Sequence, residues 1–225
     1  MKTMIVEPEW LHIGEEVEAD PSALIGYRPG RRVDDLALHL GAGARIRSGS
    51  VIYAGSIIGE EFQTGHNVVI REQNLLGKHV QIWNNTTIDY GCRIGDNVKI
   101  HANCYIAQFT IMEDDVFLAP GVTIANDLHP SCAFSAECMR GPTLQRGVQI
   151  GVNVTITPRV TIGAYSVIGS GAVITRDIPP HSLVVGNPAR VIKQIEAITC
   201  TTGVAGSHDY QPYLHLAAQA EDGNS

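Results

Sequence analysis

The sequence predicts an all-β fold, a parallel β-helix of triangular section, and two superposed periods in the chain predict it. Over residues 38–125 one aliphatic residue returns at every sixth position, and only Thr64 departs from this rule. A second period of eighteen places a glycine after the aliphatic residue at Gly41, Gly59, Gly77 and Gly95. A spacing of six would spread apolar residues around an α-helix of 3.6 residues per turn instead of lining one face. Three hexads therefore form one coil of a solenoid.

Each hexad is predicted to be a short strand followed by a corner. Two positions before each aliphatic residue stands a small or β-branched residue, and residues spaced by two point to the same side of a strand. The following positions are turn-forming, as in Asn84-Asn85 and Pro120-Gly121. The inward pairs should fill the core, and the corners should need left-handed backbone.

The register of six also divides the chain. It is lost at residues 27–37 and again at 126–141, and it resumes from Ile150 to Ile174. We predict a β-helix domain at residues 1–187 with a protruding loop at 126–141, because solenoids collect insertions on one face, often the binding face. Asn187-Pro188 indicates the start of a short C-terminal capping helix at 188–198. Residues 199–225 have no period and are predicted to be a flexible tail.

Composition excludes several classes of function. The 225-residue chain is 44% hydrophobic and only 6% aromatic, which suits narrow coils filled with isoleucine and valine. A net charge of −7 argues against non-specific nucleic-acid binding. No stretch approaches the roughly 20 apolar residues of a membrane span, and the first ten residues do not resemble a signal peptide, so a cytoplasmic location is expected. Cys92 and Cys104 occupy inward positions, whereas Cys132 and Cys138 lack zinc-like spacing, and no metal is expected.

The eighteen-residue period identifies side chains that stack on one edge of successive coils. One such ladder leads directly into the loop and Asp127, and it consists of Glu72, Tyr90, Gln108 and Asn126. Because loops carry function more often than the scaffold does, this ladder and the loop are candidates for one site. A second ladder, Asn67, Asn85 and Asn103, is predicted to be structural, because asparagine tolerates left-handed corners and caps local backbone groups.

Motifs in the second half of the chain extend beyond the repeat. They are residues 116–122, His129-Pro130, and residues 168–171, 175–179 and 186–190. In this order they resemble the hexapeptide-repeat acyltransferases, most closely the galactoside and maltose acetyltransferases and the N-acyltransferases of nucleotide-linked amino sugars. The resemblance implies a left-handed coil, a homotrimer with active sites between subunits, and acetyl-coenzyme A or another acyl-coenzyme A as cosubstrate.

The same resemblance implies roles for individual residues. The amino-sugar enzymes draw polar contacts to the substrate amine from the edge that bears the first ladder, which implies substrate contacts for Glu72, Tyr90 and Gln108. The resemblance also implies a catalytic role for Asn126 and Asp127. His129 stands where the sugar acetyltransferases carry their catalytic histidine, and histidine can act as a base at neutral pH. Small and basic residues fall where the family holds the coenzyme: Gly151, Ser170, Gly171, Thr175, Arg176, Arg190 and Lys193.

The function predicted from these features is N-acetylation of the amine of a nucleotide-linked amino sugar, by direct attack of the amine on the thioester. The departing coenzyme sulfur could then take the proton. An alternative is O-acetylation of a sugar hydroxyl with His129 as base. Two alternatives belong to other function classes: a metal enzyme like the γ-class carbonic anhydrases, and a non-catalytic β-helix binding protein. Metal analysis and coenzyme A binding distinguish these two from an acyltransferase.

Overall fold

The hexads form three parallel sheets that make the faces of a triangular solenoid. A computed structural model describes residues 9–200 and 208–209. Strands pair in parallel with strands eighteen residues away, as Leu75 does with Arg93 and Arg93 does with Ile111. This arrangement confirms the predicted fold class, a left-handed parallel β-helix with a protruding loop.

The strands are assigned to the three faces as follows. Sheet A contains β1 (Leu11–Ile13), β4 (Leu38–Leu40), β7 (Ile57–Ile58), β10 (Leu75–Leu76), β13 (Arg93–Ile94), β16 (Ile111–Met112), β19 (Thr143–Leu144) and β22 (Thr161–Ile162). Sheet B contains β2 (Glu18–Ala19), β5 (Arg45–Ile46), β8 (Gln63–Thr64), β11 (Gln81–Ile82), β14 (Lys99–Ile100), β17 (Phe117–Leu118), β20 (Gln149–Ile150), β23 (Val167–Ile168), β25 (Ser182–Val185) and β26 (Arg190–Gln194). Sheet C contains β3 (Leu24–Tyr27), β6 (Val51–Tyr53), β9 (Val69–Ile70), β12 (Thr87–Ile88), β15 (Tyr105–Ile106), β18 (Thr123–Ile124), β21 (Thr155–Ile156) and β24 (Val173–Ile174).

The core is the interior of the triangle, and the predicted inward pairs fill it. From Leu40 to Ile124 the sixth-position residues are buried, and so are the small residues two positions before them. Cys92 and Cys104 lie among them, and burial raises the pKa of the Cys92 thiol to about 12. Thr64, the one polar residue in the series, is buried with its hydroxyl accepting a hydrogen bond from the Arg47 N–H at 2.9 Å.

Every sixth residue between positions 43 and 121 lies in the left-handed region of backbone space. These residues are Gly43, Gly49, Gly55, Glu61, Asn67, Gln73, His79, Asn85, Gly91, Asn97, Asn103, Phe109, Asp115 and Gly121. At most corners the N–H of this residue donates to a carbonyl of the preceding coil, as Asn85 does to His66 at 3.0 Å. Stacking of the coils thus offsets the cost of a conformation that residues other than glycine normally avoid.

The asparagine ladder is structural, as predicted. The Asn67 side-chain amide donates to the Asn85 side-chain oxygen at 3.3 Å, and the Asn85 amide donates to Asn103 in the same way. All three residues have φ between 57° and 60°. The ladder therefore stabilises one left-handed corner of three successive coils.

Replacing Asn85 with alanine should lower the free energy of unfolding by about 1–2 kcal/mol, because the alanine Cβ is strained in left-handed backbone, which asparagine tolerates. Asn85→Gly is the matched control, since glycine accepts φ near 58° while also losing both amide hydrogen bonds. Urea denaturation of the two variants separates backbone strain from side-chain bonding. Equal losses in the two variants would contradict a strained corner.

Both interruptions of the repeat leave the solenoid at the same edge. Residues 28–37 connect β3 of sheet C to β4 of sheet A, and residues 125–142 connect β18 of sheet C to β19 of sheet A. We call this edge the C–A corner and the second segment the insertion. The insertion contains one short helix, α1 (Ser135–Cys138), and Arg159 holds it by donating from its guanidinium to the Cys138 carbonyl at 2.6 Å.

The predicted capping helix at residues 188–198 is wrong. Residues Arg190–Gln194 form β26, which runs antiparallel to β25 at the end of sheet B, and a single 3₁₀ turn follows at Ile195–Ala197. The last parallel strand leaves unpaired backbone groups, and a hairpin strand satisfies them where a helix would not. The β-branched pair Val191-Ile192 also favours a strand.

The remaining C-terminal prediction, a flexible tail at 199–225, lies mostly outside the described residues. Within the described part, β27 (Thr199–Cys200) pairs antiparallel with β28 (His208–Asp209). None of the helices in the described residues has the length and apolar character that crossing a membrane requires.

Candidate active site

A chain of hydrogen-bonded side chains runs along the C–A corner and ends at the insertion. The Asn126 amide donates to the Gln108 side-chain oxygen at 2.6 Å, and the Gln108 amide donates to the Asp89 carboxylate at 2.6 Å. The Tyr105 hydroxyl donates to the same Asp89 oxygen at 2.9 Å. Asp89 is only 6% exposed, so its carboxylate orients both partners from below. Two members of the predicted ladder, Gln108 and Asn126, are thus connected directly.

A second cluster continues from Asp89 toward the earlier coils. Glu72 is fully buried and accepts two hydrogen bonds from the Arg71 guanidinium, at 3.0 and 3.1 Å. Arg71 also lies 3.6 Å from the Asp89 carboxylate. Arg31, from the first interruption, donates to Glu72 and to the Gln73 side chain. Glu72, predicted to contact substrate, has its carboxylate bonded to two arginines, and through Arg31 it fastens the segment 28–37 to the corner.

Burial and hydrogen bonding shift the pKa of two groups in this network. Burial would raise the pKa of Glu72, but the hydrogen bonds from Arg71 and Arg31 outweigh it and leave that pKa below its ordinary value. Burial, followed by the hydrogen bond to Asp89, raises the pKa of Tyr105 to about 12. At neutral pH the network therefore contains a Glu72 carboxylate and a protonated Tyr105 phenol.

Tyr90 contributes its ring to the corner. The Arg31 guanidinium lies 4.0 Å from the centre of that ring, and Phe109 packs edge-on against it at 5.5 Å. The Tyr90 N–H donates to the Asp89 carboxylate at 2.8 Å. Tyr90 therefore holds Arg31 in place by a cation–π contact, and its predicted contact with substrate stays a prediction.

The insertion presents His129 next to an ordered aspartate. The Asp127 carboxylate accepts a hydrogen bond from the backbone N–H of His129 at 2.8 Å and another from the Ser135 hydroxyl. The bond from Ser135, and then that from the His129 N–H, keep the pKa of Asp127 below its ordinary value. The Arg140 N–H donates to the Asn126 carbonyl at 2.8 Å and closes the base of the insertion. Asp127 thus shapes the turn that carries His129, whose side chain is exposed.

The residues predicted to hold the coenzyme lie at two corners of the last coils and on β26. Gly151, Ser170 and Gly171 occupy the corner between sheets B and C, whereas Thr175 and Arg176 follow β24 at the C–A corner and are exposed. Gly171 has φ of +72°, and an added Cβ would meet nothing within 4 Å. Gly151 is different, because its added Cβ would lie 2.6 Å from the Ser170 backbone nitrogen. Stacking of the coils alone therefore requires glycine at position 151.

Two predicted coenzyme residues, Arg190 and Lys193, lie in β26 and are exposed. Arg190 donates to the Ala189 carbonyl at 2.8 Å. They are placed on an antiparallel strand of sheet B and not on a helix, where Arg190 pairs with Val185 and Lys193 pairs with Leu183 across a register shift.

A groove of about 760 Å³ lies between sheet A and the insertion. Leu75, Arg93 and Ile111 form its floor, and Glu137, Met139 and Arg140 of the insertion cover it. Gln73, Gly91 and Phe109 line its side, each one residue after a member of the predicted ladder. The groove therefore borders the candidate site along its length.

Comparison with known proteins identifies the repeat. The family described as bacterial transferase hexapeptide (six repeats) matches residues 75–108, 91–126 and 141–176. The matched residues are coils of the solenoid on both sides of the insertion. Among the described residues, no group of three or more His, Cys, Asp or Glu side chains is arranged to hold a metal ion.

Curated relatives match over part of their length. The galactoside O-acetyltransferase of Escherichia coli is 38% identical over 113 residues, which are 45% of this chain and 56% of that protein. A Schizosaccharomyces pombe protein, provisionally named an acetyltransferase, is 40% identical over 48% of this chain and 56% of its own. The chain thus spans a little over half the length of the curated relatives it matches. A Vibrio cholerae hexapeptide-repeat acetyltransferase, solved with acetyl-coenzyme A, is 26% identical over 54% of this chain and 70% of its own, with a TM-score of 0.42.

Sequence reasoning missed Asp89, Arg71, Tyr105 and Arg31. Arg71 and Asp89 are eighteen residues apart, so the same period, started one residue earlier, would have placed them on the same edge. Tyr105 is an outward strand residue, and its contact with Asp89 crosses from a strand to a corner. Arg31 lies in a segment without period, and no spacing in the sequence predicts where it docks.

Proposed function

We propose that this hexapeptide-repeat protein transfers an acetyl group from acetyl-coenzyme A to a sugar, with the amine of a nucleotide-linked amino sugar as the acceptor. The observation that carries the proposal is the hydrogen-bonded chain from Asp89 through Gln108 to Asn126, which ends at the base of the segment that presents His129. The relatives named as acetyltransferases support the reaction class. The amine acceptor is proposed from the resemblance of the motifs after residue 116 to those of the N-acyltransferases of nucleotide-linked amino sugars.

The reaction needs positioning, a route for one proton and stabilisation of an oxyanion. The acceptor nitrogen attacks the thioester carbonyl, a C–N bond forms, and the C–S bond then breaks. The acceptor proton passes to His129 or to the departing sulfur. Asn126 is held by Gln108, so its amide group can position the acceptor without reorienting. Asp127 keeps the His129 turn in one conformation through its two hydrogen bonds.

The coenzyme would lie along the last coils. The open left-handed corner at Gly171 allows close approach of a pantetheine arm to the backbone. Arg176 and Arg190 would supply positive charge for its phosphates. Thr175 and Ser170 would add hydroxyl groups, although the Ser170 oxygen already accepts from the Val152 N–H at 3.1 Å.

A homotrimer with its active sites between subunits is part of the same proposal. Exposed apolar side chains on the outer faces support it, since an oligomer would cover them: Leu24, Ile57 and Tyr105. A cytoplasmic location stays a prediction from the sequence.

O-acetylation of a sugar hydroxyl is the second candidate, and one observation favours it. The Escherichia coli relative at 38% identity is named a galactoside O-acetyltransferase. A hydroxyl is a weaker nucleophile than an amine and needs a base, which makes His129 essential under this alternative.

The test incubates the full chain with acetyl-coenzyme A and a panel of amino sugars, free and nucleotide-linked, together with matched sugars that carry only hydroxyl groups. Free thiol is followed with a chromogenic thiol reagent, and we expect release that depends on an amine acceptor. Hydroxylamine treatment of the product separates the candidates, because it cleaves an ester and leaves an amide intact. No thiol release with any amine or hydroxyl would overturn the proposal.

A further inference from the structure

The groove between sheet A and the insertion has the chemistry of an anion site with an apolar floor. Three guanidinium groups line it, those of Arg93, Arg140 and Arg159, and Glu137 is the one acidic residue in its described lining. Neither Arg93 nor Arg140 forms an ion pair within the described residues. In a protein of net charge −7, this is a local excess of positive charge.

Apolar groups complete the lining. Leu75 and Ile111 on the floor are 38% and 40% exposed, and the Phe109 ring at the side is 39% exposed. A volume of about 760 Å³ lies in the range of small-molecule sites. Guanidinium groups bind phosphate oxygens in pairs, and an aromatic ring offers a surface for a planar base. The ligand class that fits carries at least two negative charges beside a planar or apolar group.

We propose that this groove binds the nucleoside diphosphate portion of the acceptor, with Arg93 and Arg140 contacting the diphosphate and Phe109 contacting the base. The inference rests on the proposed function for the identity of the reacting group, and it adds the part of the substrate that determines specificity. It assigns a binding role to residues that lie beside the hydrogen-bonded chain.

The position of the groove favours the acceptor over the coenzyme. Phe109 directly follows Gln108, and the Arg140 N–H is bonded to the Asn126 carbonyl. A nucleotide-linked sugar whose diphosphate is bound here would therefore have its sugar next to Gln108 and Asn126 of the hydrogen-bonded chain. The coenzyme candidates Gly171, Thr175 and Arg176 are absent from the described lining of the groove.

The test measures binding by calorimetry of UDP, dTDP, GDP, inorganic pyrophosphate and coenzyme A to the full chain. We expect at least one nucleoside diphosphate to bind more tightly than pyrophosphate. Arg93→Gln and Arg140→Gln should each weaken that binding by about 10-fold or more, the effect of losing a charge-assisted hydrogen bond, while coenzyme A binding stays unchanged. Lys99→Gln removes the same charge from the exposed face of sheet B and should change neither affinity.

Three results would overturn the inference. They are no binding of any nucleoside diphosphate, nucleoside diphosphate binding that is unchanged in both arginine variants, and arginine variants that weaken coenzyme A binding and not nucleoside diphosphate binding. Melting curves check that the variants fold, and Arg159 is left intact because it holds the insertion. Binding requires no acetyl transfer. Nucleotide binding without thiol release would count against the proposed function alone, and thiol release that both arginine variants retain unchanged would count against the groove alone.

Discussion

His129→Gln is expected to lower kcat for a hydroxyl acceptor by about 10²- to 10⁴-fold, the usual contribution of a positioned general base. The His129 side chain is exposed on the insertion, and the bond to Asp127 comes from the backbone N–H of His129. The substitution therefore removes the imidazole, keeps that bond and has little effect on packing. With an amine acceptor the loss should be smaller, because the departing sulfur can take the proton. Initial rates of thiol release with both acceptor types measure the difference.

His66→Gln is the matched control for that variant. His66 is also an exposed histidine, but it lies at the corner between sheets B and C, where its ring nitrogen is 2.7 Å from the Ser48 hydroxyl. Its replacement should leave kcat unchanged for both acceptors. If His129→Gln keeps full turnover with a hydroxyl acceptor, the base lies elsewhere and the O-acetylation alternative fails.

Glu72→Gln is expected to lower the free energy of unfolding by about 2 kcal/mol, because it leaves two arginines facing a neutral amide at a buried position. Breaking a fully buried ion pair costs about 3–5 kcal/mol. Here the Arg31 and Arg71 side chains remain 36% and 30% exposed, so water screens part of the loss. Urea denaturation at pH 7 measures the change. Glu60→Gln, which breaks an exposed pair with Lys78, is the control and should have no measurable effect.

The same carboxylate predicts a dependence of stability on pH. The pKa of Glu72 is lowered on folding from an ordinary value of 4.5, so its contribution is complete above that pH and is lost as the pH falls through the lower folded pKa. The difference in stability between the wild-type protein and Glu72→Gln should therefore shrink when denaturation is repeated below pH 4.5. A difference that stays constant down to pH 3 would contradict this assignment.

The repeat could be predicted because its determinants are local and regular. An inward residue must be apolar in every coil, a corner must tolerate left-handed backbone, and both demands recur with a fixed period. Asn84-Asn85 and Pro120-Gly121 illustrate this, since the second residue of each pair has a positive φ. The same regularity placed Gln108 and Asn126 on one edge, where they are hydrogen-bonded.

The C-terminal segment shows where such reasoning fails. Asn187-Pro188 followed by Val191, Ile192 and Ile195 has the spacing of an amphipathic helix, yet the segment forms β26 and a 3₁₀ turn. The open edge of β25 was the deciding factor, and it exists only once the solenoid has been assembled. The helix or strand propensity of a segment predicts its structure poorly where unpaired backbone groups of a neighbouring strand can bind it.

The sequence by itself determined the all-β class, the three-sided coil, the positions of both interruptions and the edge that bears Gln108 and Asn126. Its physical basis is the period, which repeats the same packing requirement in every coil. Only the tertiary structure decided that Arg31 docks on Glu72 and Tyr90, that Asp89 lies beneath Gln108 and Tyr105, and that the insertion covers a groove lined by Arg93 and Arg140. Segments without period meet the solenoid through contacts distant in sequence, and such contacts form only when the coils are stacked.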